Sequence, residues 1–390
     1  MNKPFSNIVG PENVSVSESD RDAYSYSAGD LIRVPAAIVW PKDTKQVARI
    51  LRENNQVRGQ VVIRGAGTST GNATVGERAT ILSSERMNRI IAMDSGSRTI
   101  TVESGMRLCE LKDLLSDSEY TIHFSPLNDS ATIGGLFAVD AYAPESEVLG
   151  TFSRLVDEFE MVDATGKVFM TSKRELAAGK EGLSGFVTWL KLKLDQKQAL
   201  SIDVLQFQEL TEMLRAILRL RNDKDRYFAE FIDRETAKRF GFEEQHTLVI
   251  AYTNFKGKYK SYLETEPILK MLKGLYSSLR MDGYYFTLDP LVSTEKTYDL
   301  VDWCLKNKVP LHGHAGCGLF YAYFRKDDKA KLDEFRSFIR SIRGTLGACM
   351  GVGFANAEFL SQEERKKLMK LKDEHDYNNT LNPGKMISYR

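Results

Sequence analysis

The alternation of apolar and polar positions changes grammar twice along this chain. Pro35-Ala-Ala-Ile-Val-Trp-Pro41 reads as a short apolar strand closed by proline. Asp43 to Arg52 places Val47, Ile50 and Leu51 on one helical face, with Asp43 or Thr44 as the N-cap. Gln60-Val-Val-Ile63 is the next strand, so the chain opens as strand, helix, strand. Ala79–Ser83, Ile90–Met93 and Thr99–Glu103 are short strand candidates separated by turns and predict an antiparallel sheet. A helix is predicted from Leu108 to Leu115. A hairpin spans Phe159 to Phe169, turning at Ala164-Thr-Gly166, and Trp189-Leu-Lys-Leu-Lys-Leu194 alternates as a half-exposed strand. From about residue 200 glycine thins out and helices lengthen. Helices are predicted over 210–220 and 259–279, and strands over 247–252 and 283–287. A domain boundary near residue 200 follows.

Composition narrows the class. The 390 residues are 42% hydrophobic and 27% charged with a formal net charge of +1, which gives no ground for a nucleic-acid or anionic-membrane partner. Cysteines stand at 109, 304, 317 and 349 without a CxxC pair, so reduced thiols are expected rather than a disulfide framework or a four-cysteine metal site. The N-terminus lacks the apolar core of a signal peptide. No stretch approaches the roughly 18 apolar residues of a transmembrane segment. A cytoplasmic protein is expected, meeting a membrane only peripherally through a partner. The basic run Arg365–Lys372 reads as the wet face of a helix whose other side carries Leu368 and Leu371.

Three loops of small residues lie in order in the first half: 64–71, 132–135 and 179–188. The first, Arg64-Gly-Ala-Gly-Thr-Ser-Thr-Gly71, ends a β-branched run and has almost no side-chain bulk. Successive backbone N–H groups there can converge on an anion. The set suits a dinucleotide whose pyrophosphate is held by the main chain. It is not the usual fingerprint, because no GxGxxG opens a helix after a first strand.

These segments resemble the FAD-binding PCMH-type domain of the vanillyl-alcohol oxidase superfamily, within it the glycolate oxidase FAD subunit and D-lactate dehydrogenase branch. The resemblance rests on Pro35–Pro41, Arg64–Ser69, Thr132-Ile-Gly-Gly135, Glu181-Gly-Leu-Ser-Gly-Phe-Val-Thr188, Gly313-His-Ala-Gly316 and Leu381-Asn-Pro-Gly-Lys385, collinear from about residue 20 to the end. It implies an α+β fold: a two-subdomain FAD domain over 1–200, a cap with an antiparallel sheet covered by helices over 201–350, and a returning segment over 351–390. Arg64, Gly65, Ala66, Gly67, Thr68 and Ser69 would hold the pyrophosphate. Thr132, Gly134 and Gly135 would line the path to the flavin ring. Gly150, Val156, Gly182, Gly185 and Val187 would surround the ribityl and adenine ends, and Asn382 would return to the flavin. No histidine lies beside the 64–71 loop, so FAD is expected to be non-covalent.

On the substrate side the resemblance is broken. Members of this branch that oxidise 2-hydroxy acids resemble Gly-His-x-Gly-Asp-Gly-Asn-x-His followed by Glu-His-Gly-x-Gly, whose histidines and glutamate bind a divalent metal. Here the segments read Gly313-His-Ala-Gly-Cys-Gly-Leu-Phe-Tyr321 and Cys349-Met-Gly-Val-Gly353. The metal is therefore expected to be lost, with a His314/Cys317/Cys349 zinc site as the alternative. His314 is the candidate base, with its null role a satisfied strand histidine. Tyr321 is a candidate acid or donor, and Arg325 a candidate holder of a carboxylate. Asp233 reads as a helix cap.

The resulting expectation is an FAD-dependent oxidoreductase taking hydride from a small 2-hydroxy acid, D-lactate- or glycolate-like, to flavin N5. Its electron acceptor would be an iron–sulfur protein or a quinone. The alternatives are a non-catalytic or electron-relay flavin subunit of a glycolate oxidase-like complex, and a sugar-lactone or alcohol oxidase.

Overall fold

The computed structural model describes residues 3–220 and 223–388. Its first half holds two main sheets and a two-stranded pair, Tyr120–Thr121 with Asp195–Gln196. A four-stranded sheet runs in the order Val14–Ser15, Ala37–Val39, Thr80–Ser83, Val61–Arg64, its last three strands parallel. The helix Thr44–Gln56 crosses over between two of them. Asp43 caps it by accepting the Gln46 N–H at 2.8 Å. Val47, Ile50 and Leu51 are buried against Val39, Val61 and Leu82, as the 3.6-residue period requires.

The strand Thr80–Ser83 departs from expectation. It joins the parallel sheet, and only the strands Ile90–Asp94 and Thr99–Glu103 enter an antiparallel one. Four residues are too few for their apolar pattern to tell the two neighbourhoods apart.

The antiparallel sheet has the order Ile90–Asp94, Thr99–Glu103, Phe186–Lys193, Val156–Val162, Val168–Thr171. In Phe186–Lys193 alternate side chains are buried, so Leu190 and Leu192 enter a core with Phe137, Phe152 and Phe159.

The strands after residue 200 form one six-stranded antiparallel sheet. Its order is Ser201–Phe207, His246–Tyr252, Arg226–Ile232, Leu311–His314, Leu319–Arg325, Tyr284–Leu288. Arg226–Ile232 and His246–Tyr252 are buried along their whole length because both sheet faces are covered. Ala229, Phe231, Leu248 and Ile250 pack with residues of the helices Leu210–Leu220, Thr297–Lys306 and Lys329–Ser341. Phe228, Ile232, Val249 and Ala251 pack with those of Tyr262–Met281. That last helix starts three residues later than its apolar pattern predicts. Ser261 and Glu264 form a capping box, while Tyr259 is held in an isolated bridge to Ile202.

The C-terminal helix Gln362–His375 is followed by a strand-like return. The Val61 N–H donates to the Thr380 carbonyl and the Asn382 N–H to the Val61 carbonyl, both at 2.8 Å. Lys372 corrects the reading of the basic run as a wet face. It is buried, and its ammonium donates to Asp376 at 2.7 Å and to the Leu381 carbonyl. A single lysine here ties the helix to the returning tail.

Candidate active site

A cleft opens where the strand Val61–Arg64 ends. One wall is the loop from Gly65 to Ser69. The backbone N–H groups of Ala66, Gly67, Thr68 and Ser69 have no acceptor among the described residues. Consecutive unmet donors in a concave wall fit a phosphate group. Two further donors in the same wall are buried without partners, the hydroxyls of Thr74 and Ser104. Neither stood out in the sequence, where they are single hydroxyls outside any glycine cluster.

The second loop behaves differently. The Thr132 hydroxyl caps the helix Ile133–Val139 by accepting the Gly135 N–H at 3.1 Å. The Ile133 and Gly134 N–H groups are spent on the carbonyls of Met106 and Ser104, both at 2.8 Å. This segment gives the cleft close approach rather than free donors. A Cβ on Gly134 would come within 2.7 Å of the Ser104 side chain. Gly182, with φ near +74°, Gly185 and Val187 complete this end of the cleft.

Of the residues singled out for the cofactor, Gly65 to Ser69, Thr132, Gly134, Gly135, Gly182, Gly185 and Val187 lie in the cleft wall. Arg64, Gly150, Val156 and Asn382 do not. The Arg64 guanidinium donates to the Tyr26 carbonyl at 2.9 Å and lies over the Tyr24 ring, bracing the loop from behind. Gly150 ends the short helix Ser146–Leu149, and Val156 is a core residue. Asn382 accepts the Ile63 N–H at 3.0 Å and donates to the Glu181 carbonyl at 2.5 Å, so it joins the tail to two segments of the cleft.

The opposite wall comes from the cap. His314 is 3% exposed and lies behind the surface of the cleft. Its Nδ1 is 2.5 Å from Glu230 Oε1, and its Nε2 is 3.0 Å from the Tyr321 hydroxyl. The Tyr321 hydroxyl contacts Cys349 Sγ at 3.4 Å, and that thiol is 3.4 Å from the Tyr142 carbonyl. Cys349 lines the cleft, so a chain of exchangeable protons runs from Glu230 to the cavity. Its direction can invert. The Tyr321 hydroxyl donates to the thiol, which donates to the Tyr142 carbonyl; turning the hydroxyl toward His314 Nε2 and the thiol toward Tyr321 gives the opposite order. Burial, and then Asp289, push the Cys349 thiol up to about 12, so it is a neutral relay rather than a thiolate nucleophile.

His312 pairs with Tyr323 at 2.7 Å in a separate buried contact. Arg325 is exposed at the strand end, donating to the Asp282 carbonyl at 3.0 Å and lying over the Tyr284 ring. Asp233 does cap a helix, accepting from Glu235 and Thr236, and also takes the Leu311 N–H.

Two buried carboxylates fix the loop that carries Cys349. Asp289 accepts the N–H groups of Gly347, Cys349 and Met350, each at 2.8 Å. Glu181 accepts those of Val352 and Gly353 at 2.5 and 2.9 Å. Burial raises both carboxyls above their usual range, against the pull of these donors. Sequence reasoning missed Asp289 and Glu230. Glu230 had a signal, a lone acid inside the apolar run Phe228–Ile232; Asp289 had none.

A divalent metal does not fit the residues present. Both nitrogens of His314 are engaged by Glu230 and Tyr321, and the Cys317 and Cys349 thiols are held protonated by burial, each pushed up to about 12. FAD does fit, on the open amides of 66–69 and the partnerless hydroxyls of Thr74 and Ser104.

The open amides and small-residue walls of this cleft suit a dinucleotide. Residues 35–172 match the family described as FAD binding domain; the cofactor is FAD and the chain is an oxidoreductase. It is 23% identical to a D-lactate dehydrogenase of Archaeoglobus fulgidus, over 94% of this chain and 96% of that one. It is 29% identical to glycolate oxidase subunit GlcD of Bacillus subtilis, over 49% of this chain and 43% of that protein. An alkyldihydroxyacetonephosphate synthase shares the fold, with a TM-score of 0.74 and 15% identity over 96% of this chain and 82% of that one. No helix among the described residues is long and apolar enough to cross a membrane.

Proposed function

We propose that this chain, divided as 1–200, 201–350 and 351–390, is an FAD-linked dehydrogenase or oxidase acting on a CH–OH group. The observation that carries this reading is the proton chain Glu230–His314–Tyr321–Cys349, which ends in the wall of the cleft that fits FAD. FAD, held on the open amides of 66–69 and the hydroxyls of Thr74 and Ser104, would supply the acceptor for the carbinol hydride and its two electrons. The hydroxyl proton must leave by another route. At the Cys349 end it can pass inward through Tyr321 and come to rest on His314 beside Glu230. Cys349 thus meets the substrate side, and Tyr321, His314 and Glu230 act through it. The names of the relatives support a D-lactate- or glycolate-like 2-hydroxy acid, and the word subunit in one of them supports a protein partner; an iron–sulfur protein or a quinone is the electron acceptor we propose.

The test is anaerobic bleaching of the flavin band by a panel of hydroxy acids and neutral alcohols. Tyr321→Phe breaks the chain and leaves His314 Nε2 without its partner. Reduction should slow by about 100-fold or more with FAD content unchanged. If no CH–OH compound bleaches the flavin, the reading is wrong. The replacement of the metal-site glutamate and histidine by Cys349 and Met350 favours the second reading, a flavin-carrying subunit that exchanges electrons only with a partner.

A further inference from the structure

The cap-side end of the cleft is unusual in what it offers a ligand. Among the described residues of the cleft wall there is no lysine, arginine or histidine; Glu181 is its one charged residue. The walls near Cys349 are Leu127, Tyr276 and Met350, which belong to one apolar cluster with Tyr142.

Backbone amides could replace a cation, as they do at 66–69, but here five of the seven from Gly347 to Gly353 are taken. Gly347, Cys349 and Met350 give theirs to Asp289, and Val352 and Gly353 give theirs to Glu181. Two acids therefore stand behind this loop, and a third carboxylate brought against it would meet their field.

The nearby arginines do not line the cleft wall. Arg280 lies over the Tyr276 ring and donates to the Tyr285 carbonyl. Arg226 is buried outside the cleft wall, paired with Glu147 at 2.5 Å. Arg325 is at the far end of its strand, bound to the Asp282 carbonyl.

We propose that the cap-side end of the cleft takes an uncharged alcohol with an apolar body and discriminates against a carboxylate-bearing 2-hydroxy acid. This rests on the CH–OH reading and chooses within it. The carbinol carbon would be oxidised to a carbonyl, the C–H bond leaving as a hydride, with its two electrons, for FAD and the hydroxyl proton going to the Cys349–Tyr321–His314 chain. A carboxylate in the same place would lose its hydration without gaining a cation in the wall.

The test uses the FAD-loaded protein and two matched pairs of probes. Binding is read from the flavin difference spectrum with acetophenone and benzoylformate, which need no turnover. Acetophenone should bind at least about tenfold more tightly, since an unpaired buried carboxylate is strongly penalised. Leu127→Arg, which supplies the missing guanidinium, should shift that ratio toward benzoylformate. Equal or tighter binding of benzoylformate to the unaltered protein overturns the proposal, as does absence of any acetophenone signal. Anaerobic reduction by racemic 1-phenylethanol and racemic mandelate is the second arm. Faster reduction by mandelate overturns the substrate class and leaves the CH–OH reading intact. Acetophenone preference with no reduction by any alcohol does the opposite.

Discussion

The two walls of the cleft are made of similar glycine-rich backbone and use it in opposite ways. On the nucleotide side, four successive N–H groups from Ala66 to Ser69 have no acceptor among the described residues. On the cap side, five N–H groups between Gly347 and Gly353 end on the buried carboxylates of Asp289 and Glu181. The first wall receives an anion from outside. The second already contains its anions. A glycine loop does not announce which kind it is; the difference lies in whether an acid from a distant part of the chain reaches it.

The largest effect should come from unsealing the second wall. Asp289→Ala leaves three buried N–H groups without an acceptor, and at 1 kcal/mol or more for each the loss should be about 3–5 kcal/mol. Urea unfolding of the FAD-free protein measures it. Asp289→Asn, which keeps one carbonyl oxygen, should recover part of that loss. A loss under about 1 kcal/mol for the alanine variant would mean that water satisfies these amides and the wall is not sealed.

The first wall should break in the other sense, losing its ligand before its fold. Gly67→Val is a poor probe, because Gly67 has φ near +71° and a Cβ there would run into the Arg64 guanidinium. Such a variant strains the free protein as well. Ala66 lines the cleft without that constraint. Ala66→Phe should weaken FAD by about 100-fold, equivalent to about 2.7 kcal/mol, with little change in the melting temperature of the FAD-free protein. Release of flavin fluorescence on dilution reads the affinity. Unchanged FAD retention would remove this loop from the cofactor site.

The same contrast explains what the sequence made legible. The helix Thr44–Gln56, the strand Phe186–Lys193 and the loop 65–69 are local: a cap, an alternation and a run of small residues each say what they are within about ten positions. The three small-residue loops were readable together because glycine and small side chains have few other reasons to recur in that order. The cap site was not readable in that way. Its contacts join Glu230 to His314 and Asp289 to Cys349, 84 and 60 residues apart. Whether Arg325 or His314 faces a substrate depends on sheet order, which residue types do not disclose. Thr80–Ser83 failed for a related reason, since its parallel partners lie on either side of it in the fold and at different distances along the chain.

The smallest effect probes the cap interior through pH. Burial, and then His314, push the His312 imidazole down to about 3. Unfolded, the same group takes a proton near pH 6.5. Between those values the unfolded chain binds more protons than the folded one, so stability falls as the solution is acidified. Above about pH 7 both states are neutral and the contribution is flat. From pH 7 to pH 5 this one group should cost about 2 kcal/mol. His312→Phe removes the titration together with the bond to Tyr323, worth about 1 kcal/mol. The variant should therefore be slightly less stable than the unaltered protein at pH 7 and the more stable of the two at pH 5, by urea unfolding. His246, pushed down to about 4 by burial, adds a slope of the same sign, but it is common to both proteins and cancels in the comparison. Stability curves that run parallel from pH 7 to 5 would mean that His312 is hydrated, and that the cap interior is open where the second wall requires it to be closed.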